Sequence, residues 1–137
     1  MLDHTDKKIL EELKNNSRIS MKGLGEKIHM TGQATANRVL KLEEDGVIGG
    51  YTIHLNHMKT GLLVHSFINI YTKGFDHKPF LSFIENQQAY MVNNFKISGE
   101  GCYLLECRFP SNEELDRFLS ELNRYANYKL SLVINNQ

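Results

Sequence analysis

Cysteine is scarce in this chain of 137 residues: Cys102 and Cys107 are the only two, too few for a disulfide framework. On one regular strand their odd spacing would set them on opposite faces, roughly 16 Å apart and beyond disulfide reach. Charge of one sign is lacking as well, because 16 basic and 16 acidic residues cancel. The strongly basic average of many nucleic-acid binders is therefore absent. Long hydrophobic runs are missing too, since no apolar stretch exceeds four residues, as at 89–92 and 102–105. That excludes a membrane span and a signal-peptide core, so a cytoplasmic protein with no membrane partner is expected. The six histidines are scattered. Only His54-x-x-His57 has a metal-like spacing, and no Cys or carboxylate nearby completes a set. They read as surface histidines, and neither a metal nor another cofactor is expected.

What is present is ordinary for a globular protein, with 41% hydrophobic and 23% charged residues, and the length suits one ordinary domain or two small ones. The neutral average hides a local pattern. Between Lys14 and Lys41 stand six basic residues, Lys14, Arg18, Lys22, Lys27, Arg38 and Lys41, against the single acid Glu26. Acids flank the segment, with Asp3, Asp6, Glu11 and Glu12 before it and Glu43, Glu44 and Asp45 after it. Charges alone would read as a solvated helical face.

The first fifty residues read as three short helices. Asp3 is an N-cap before Ile9, Leu10 and Leu13, and Asn15, Asn16 and Ser17 end that helix. Ser20 caps a second helix with Met21, Leu24 and Ile28 on one face, and His29 and Met30 make a tight connection. Thr31 caps a third. There Thr35, Val39 and Leu42 face inward while Gln33, Asn37 and Lys41 recur at i, i+4, i+8 on the opposite side. Gly46 stops this helix, and Val47 and Ile48 return to apolar burial. Two short helices with a tight connection, the second carrying amide and basic side chains, read as a helix-turn-helix. Amides can bond adenine in the major groove and basic groups guanine, while a helix N-terminus suits a phosphate. A three-helix bundle with a wet face is the plainer alternative. The charge excess, the capping threonine and the amide stripe together favour double-stranded DNA as partner, through Lys22, Thr31, Gln33, Asn37, Arg38 and Lys41. Arg38 has a second reading as a structural salt-bridge partner.

After a short strand at 51–55 and a break at Gly61, the period changes to two. Residues 63–73 alternate as a strand, and Pro79 opens a helix with Phe80, Phe83 and Ile84 on one side. Residues 90–98 and 101–109 read as two strands joined by a Gly99-Glu100 turn. In the second, Tyr103, Leu105, Cys107 and Phe109 share a face. Ser111 to Glu114 is a capping box ahead of Leu115, Phe118, Leu119 and Leu122, and a last strand spans 128–134. The order β-α-β-β-α-β predicts a ferredoxin-like sheet with both helices on one side. The whole is an α+β chain: a winged-helix-like helix-turn-helix domain at 1–50, a linking strand and hinge at 51–61, and a ferredoxin-like oligomerisation domain at 62–137. The sheet's second face, with Phe67 and Tyr71 or their even-numbered neighbours, needs a cover, and a homodimer supplies one.

With both halves in place the chain resembles the Lrp/AsnC, or feast/famine, family of transcription regulators over almost its whole length. Leu2-Asp3, Asp6 and Ile9-Leu10 look like the family's opening helix, and Asn16-Ser17-Arg18 like its following turn. Leu24, Ile28 through Thr31, Arg38-Val39 and Leu42-Glu43 look like its helix-turn-helix, and Gly46-Val47-Ile48 with Gly50-Tyr51 like the exit from it. The resemblance implies a sequence-specific DNA-binding regulator, dimeric or assembled further into an octamer, and tuned by a small molecule such as an amino acid. It places Ser98, Gly99, Glu100, Gly101 and Cys102 in the effector-binding hairpin. Many amino-acid-responsive members resemble Gly-x-Tyr-Asp there, whereas this chain has Gly101-Cys102 in place of Tyr-Asp. A neutral thiol cannot make the charge-assisted bond of a carboxylate to an ammonium group. Glu100 reads as a solvated turn residue and Cys102 as a partly buried filler, so a weak response to ordinary amino acids is expected.

Lrp-like two-domain chains also occur as haem-biosynthetic decarboxylases, and a small-molecule sensor without DNA binding is a further alternative. The sequence has no Gly-x-Ser-x-Gly elbow or Walker loop, and Gly99-x-Gly101 lacks a third glycine and precedes a strand. Carboxylate pairs such as Glu11-Glu12 and Glu113-Glu114 are explained by helix dipoles or solvation. No enzyme is expected.

Overall fold

Asp3, Ser20 and Thr31 start three helices, α1 (His4–Asn15), α2 (Met21–Ile28) and α3 (Gly32–Glu44). Each side chain accepts a backbone N–H three residues on, from Asp6 at 2.8 Å, Gly23 at 3.0 Å and Ala34 at 3.1 Å, and so satisfies a donor that the first turn leaves unpaired. Ile9 and Leu13 of α1, Leu24 of α2, and Val39 and Leu42 of α3 close a small core, with Thr35 buried beside them. After α3, the Val47 and Ile48 N–H groups both return to the Leu42 carbonyl, at 2.9 and 3.1 Å, and Gly46 supplies the positive φ that this reversal needs.

The computed structural model describes residues 1–136. Its contacts divide into two units, Met1–His54 and the chain from Leu55 onward. Among the described residues no helix is long and apolar enough to cross a membrane.

The second unit begins with a helical turn, α4 (His57–Thr60), capped by Asn56. It continues with β1 (Val64–Thr72), α5 (Lys78–Glu85), β2 (Met91–Lys96), β3 (Tyr103–Phe109), α6 (Asn112–Leu122) and β4 (Ala126–Leu132). The sheet order is β2-β3-β1-β4, antiparallel throughout, which is the expected ferredoxin-like arrangement. Burial alternates along the central pair. Ser66, Ile68 and Ile70 of β1 and Tyr103, Leu105, Cys107 and Phe109 of β3 are buried, in one core with Phe80, Phe83 and Ile84 of α5 and Leu115, Phe118, Leu119 and Leu122 of α6. Each fully buried aliphatic or aromatic side chain contributes about 1.5–3 kcal/mol.

Several local expectations are corrected. Residues 51–55 form no strand. Tyr51, Ile53 and Leu55 alternate as a strand would, but all three are exposed, and among the described residues no ladder pairs with them. A strand without a partner leaves its polar backbone to water. The β2–β3 connection is six residues long, not two. Ile97 N–H bonds the Cys102 carbonyl at 3.0 Å, so Cys102 lies before β3 instead of inside it, and the geometry of two cysteines on one strand does not apply. β4 begins at Ala126, which is fully buried, and ends at Leu132. The Ser111 box is half formed: Ser111 accepts from Glu114 N–H at 3.2 Å, while the Glu114 carboxylate accepts from Tyr90 Oη at 3.2 Å and Arg117 Nη1 at 2.6 Å. Tyr90 from outside the helix and Arg117 one turn along it outcompete the cap's own N–H for that oxygen pair.

Candidate nucleic-acid interface

Close approach of α2 to the start of α3 builds the helix-turn-helix. The chain reverses at His29, whose φ of 61° is the left-handed conformation, and Met30 N–H closes back on the Gly25 carbonyl at 2.9 Å. Gly25 makes the approach possible. A Cβ on Gly25 would stand 2.5 Å from the Met30 carbonyl oxygen, and one on Gly32 would stand 3.4 Å from Lys22 Cα. Lys22 is thereby set beside the first residues of α3, where N–H groups and the helix dipole already favour an anion. Thr31 caps this end through Oγ1, and its carbonyl accepts from Thr35 Oγ1 at 2.8 Å.

Along α3 the inward row Thr35, Val39 and Leu42 is buried, and Gln33, Asn37 and Lys41 are exposed, as the spacing predicts. Gln33 Nε2 donates to Asn37 Oδ1 at 3.2 Å. The two amides form a unit that leaves Asn37 Nδ2 and Gln33 Oε1 for other partners. Lys41 is paired only loosely, its Nζ 3.5 Å from Asp45 and its side chain 76% exposed, which leaves the ammonium easy to recruit. Arg38 departs from the basic-face reading. Its Nη1 lies 2.6 Å from Asp3 Oδ2 and 3.2 Å from Asp6 Oδ1. These bonds, with the carboxylates' charge, strengthen its hold on its proton, and in turn the Arg38 guanidinium beside Asp3 holds that carboxyl below its ordinary range. The structure therefore brings Lys22, Thr31, Gln33, Asn37 and Lys41 to the exposed side of α3 and its N-terminus, and turns Arg38 toward α1.

The five hairpin candidates sit in the loop between β2 and β3. Ser98, Gly99 and Glu100 are exposed, Gly101 and Cys102 half-buried. Glu100 is exposed, as a solvated turn residue should be, but it is also bonded to β1. Its carboxylate accepts from Tyr71 Oη at 2.5 Å, and its carbonyl from Asn69 Nδ2 at 2.7 Å. The loop is pinned further by Cys102 N–H on the Ile70 carbonyl at 2.7 Å. The Cys102 thiol lies 3.5 Å from Thr72 Oγ1. Bonds to Thr72, aided by the charge of Lys96, lower its pKa, whereas burial pushes the Cys107 thiol up to about 12 and leaves it inert.

Sequence reasoning missed a polar network on the sheet face that α5 and α6 leave open. Antiparallel register sets His65 opposite Arg108, and Phe67 opposite Glu106. Arg108 Nη2 lies 3.2 Å from His65 Nδ1. A guanidinium only donates, so Nδ1 accepts and Nε2 carries the proton that meets Glu106 Oε2 at 2.6 Å. Asn93 Nδ2 bonds the other Glu106 oxygen at 2.9 Å. Burial opposes the Glu106 charge, but the bonds from Asn93 and His65 and the nearby Arg108 outweigh it and hold the carboxyl below its usual range. His57, expected at the surface, is half-buried, with Nδ1 enclosed and lacking a partner. Burial and the neighbouring Arg108 and His65 lower its pKa. Period-two alternation in 63–73 and 101–109 was the available signal for this cluster.

The winged helix-turn-helix DNA-binding family matches residues 2–48, the segment carrying α1 to α3. The HTH-type transcriptional regulator LrpA of Bacillus subtilis is 58% identical over 134 residues, with 98% of each chain covered. The chain belongs to the Lrp/AsnC family. It is accordingly a DNA-binding transcriptional regulator. LrpB of the same organism is 38% identical, covering 97% of this chain and 89% of the relative. The structure of B. subtilis LrpC superposes with a TM-score of 0.93 at 31% identity, over 100% of this Lrp/AsnC chain and 97% of the other. A transcriptional regulator from Neisseria meningitidis, solved as a complex with L-Met, shares the fold with a TM-score of 0.90 at 23% identity, over 99% and 92% of the two chains.

Proposed function

We propose that this chain regulates transcription by reading duplex DNA through the exposed stripe of α3, as a homodimer, by binding and not by catalysis. The observation that carries the reading is the joined amide pair Gln33–Asn37 on the exposed face of a capped helix whose N-terminus is flanked by Lys22. In this reading Gln33 and Asn37 contact base edges, while Lys22, Lys41 and the Thr31 end of α3 contact phosphates. A partner copy covers the open sheet face, where Phe67 of β1 stands opposite Glu106 of β3, and Leu104 of β3 opposite Phe95 of β2. Two-fold pairing then presents two recognition helices to a partly palindromic site. A tetramer of dimers is a further step of the same kind, and a regulator that contacts the chromosome works in the cytoplasm.

Titration of a labelled duplex, enriched by the protein from a random-sequence pool, tests this. Gln33→Ala and Asn37→Ala should each cost about 1–3 kcal/mol of discrimination. Lys22→Ala and Lys41→Ala should weaken all sequences alike and lower the salt slope by about 0.9 each. Unchanged affinity in all four folded variants, or a monomer by light scattering at micromolar concentration, would remove the proposal.

The hairpin reading follows the same logic. The exposed Gly99 and Glu100 backbone can meet a ligand carboxylate, but the one acid of the loop is engaged by Tyr71, and Cys102 offers no charge comparable to a carboxylate. The N. meningitidis relative shows an L-Met complex on this fold. For this chain the expected result in calorimetry across the common amino acids is weak or absent binding, on the protein and on its DNA complex. A micromolar dissociation constant would reverse that assignment.

A further inference from the structure

Arg38 lies between the inward and outward rows of α3, and its guanidinium reaches the start of α1. The two carboxylates it meets already form the reciprocal capping box of that helix. Asp3 Oδ1 accepts from Asp6 N–H at 2.8 Å and Asp6 Oδ2 from Asp3 N–H at 3.3 Å. The remaining oxygens, Asp3 Oδ2 and Asp6 Oδ1, both accept from Arg38 Nη1. One oxygen of each acid starts α1, and the other ties α1 to the middle of α3, 35 and 32 residues away.

We infer that Arg38 is a positioning residue for DNA binding: clamped by Asp3 and Asp6, it fixes the rotation of α3 about its own axis and makes no contact with DNA. The inference rests on the reading of α3 as the recognition helix. The α3 side chains in the core, Val39 and Leu42, with Thr35 beside them, lie along one stripe, and apolar burial is non-directional. Such a stripe holds a helix down more firmly than it holds its roll. A roll of about 10° on a side-chain radius of ~6 Å moves an outward tip by about 1 Å, enough to spoil a bidentate bond to a base. A directional ion pair set off that stripe opposes the roll. Charge points the same way. Two carboxylates against one guanidinium leave the knot net negative, so a DNA phosphate would be repelled there until both bonds broke.

The test compares Asp3→Asn, Asp6→Asn and Arg38→Gln in the full chain, titrated with the enriched duplex and with a scrambled duplex over a salt series. Asparagine still caps a helix, and circular dichroism with thermal melts establishes that each variant is folded at the assay temperature. Removing a negative charge near DNA should by itself tighten binding. The clamp predicts the opposite sign. Each variant should lose about tenfold on the enriched duplex, the worth of one damaged base contact, with scrambled-duplex affinity and salt slope unchanged by Arg38→Gln. Arg38→Lys should recover part of the loss, because one ammonium, like Nη1, can donate to both carboxylates. Should Arg38→Gln fail to fold, the two aspartate variants carry the sign test alone. Tighter binding by the aspartate variants, with a salt slope lowered by about 0.9 in Arg38→Gln, would make Arg38 a phosphate contact and overturn the inference. Equal losses on both duplexes that follow the melting curves would also overturn it, in favour of stability alone. A wild-type protein that does not distinguish the duplexes, or one indifferent to Gln33→Ala and Asn37→Ala, would strike the recognition-helix reading instead.

Discussion

Gly25→Ala should destabilise the N-terminal unit by about 2 kcal/mol and reduce DNA affinity at least tenfold. Helix propensity alone argues the other way, because alanine in a helix interior is favoured over glycine by roughly 1 kcal/mol. Space decides against it. The new Cβ would stand 2.5 Å from the Met30 carbonyl oxygen, 3.0 Å from Thr35 Oγ1 and 3.2 Å from the Thr31 carbonyl oxygen. Two of these three atoms are backbone, so the turn between α2 and α3 must shift as a whole, and overpacking of this kind costs about 1–3 kcal/mol or more. The displaced piece carries the Thr31 cap and the N-terminus of α3, so function falls with stability. Urea denaturation alongside duplex titration measures both. A stabilised Gly25→Ala protein with intact DNA binding would show that α2 and α3 are not held at this approach.

Gly101→Ala should open the β2–β3 loop, with exchange of the Cys102 amide accelerated about a hundredfold and a loss near 3 kcal/mol. Two penalties coincide. Gly101 has a φ of 103°, a conformation costing an L-residue on the order of 1–3 kcal/mol, and its added Cβ would meet the Ile70 carbonyl oxygen at 2.6 Å. That same oxygen accepts from Cys102 N–H, so relief requires the loop to lift and also loosens the Asn69 and Tyr71 bonds to Glu100. Gly99→Ala is the internal control. Its φ is 127°, but nothing lies within 4 Å of its added Cβ, so it should suffer strain alone and a smaller loss. Equal effects of the two substitutions in hydrogen exchange would show that the contact with Ile70 is unimportant.

The helix starts were legible because capping is local chemistry. Asp3, Ser20 and Thr31 need only an N–H three residues away, and all three caps form. Alternation in β1 and β3 likewise follows from the period of two, and it marked Tyr103, Leu105, Cys107 and Phe109 as one buried face. Local signals failed where a distant group competed. Glu114 left its own cap for Tyr90, 24 residues away, with Arg117 of the same helix helping, and Glu100, still exposed, bonds Tyr71. Residues 51–55 alternate as a strand but found no neighbouring strand among the described residues.

By itself the sequence determined the order of elements, the inward and outward rows of α3, and the resemblance that identified the family, because each depends on periodicity, caps and spacing within short windows. Tertiary structure alone decided which basic residues stay exposed and which is clamped. Lys22, Lys41 and Arg38 look alike as charges, but folding leaves Lys22 exposed beside the α3 N-terminus, leaves Lys41 in solvent, and ties Arg38 to Asp3 and Asp6. It also decided which face of β1 stays open, setting Phe67 and Tyr71 opposite the helices. The physical reason is common to both: a side chain's partner is chosen by groups distant along the chain, as Asp3 and Asp6 are from Arg38, and only the closed fold brings them within hydrogen-bonding distance.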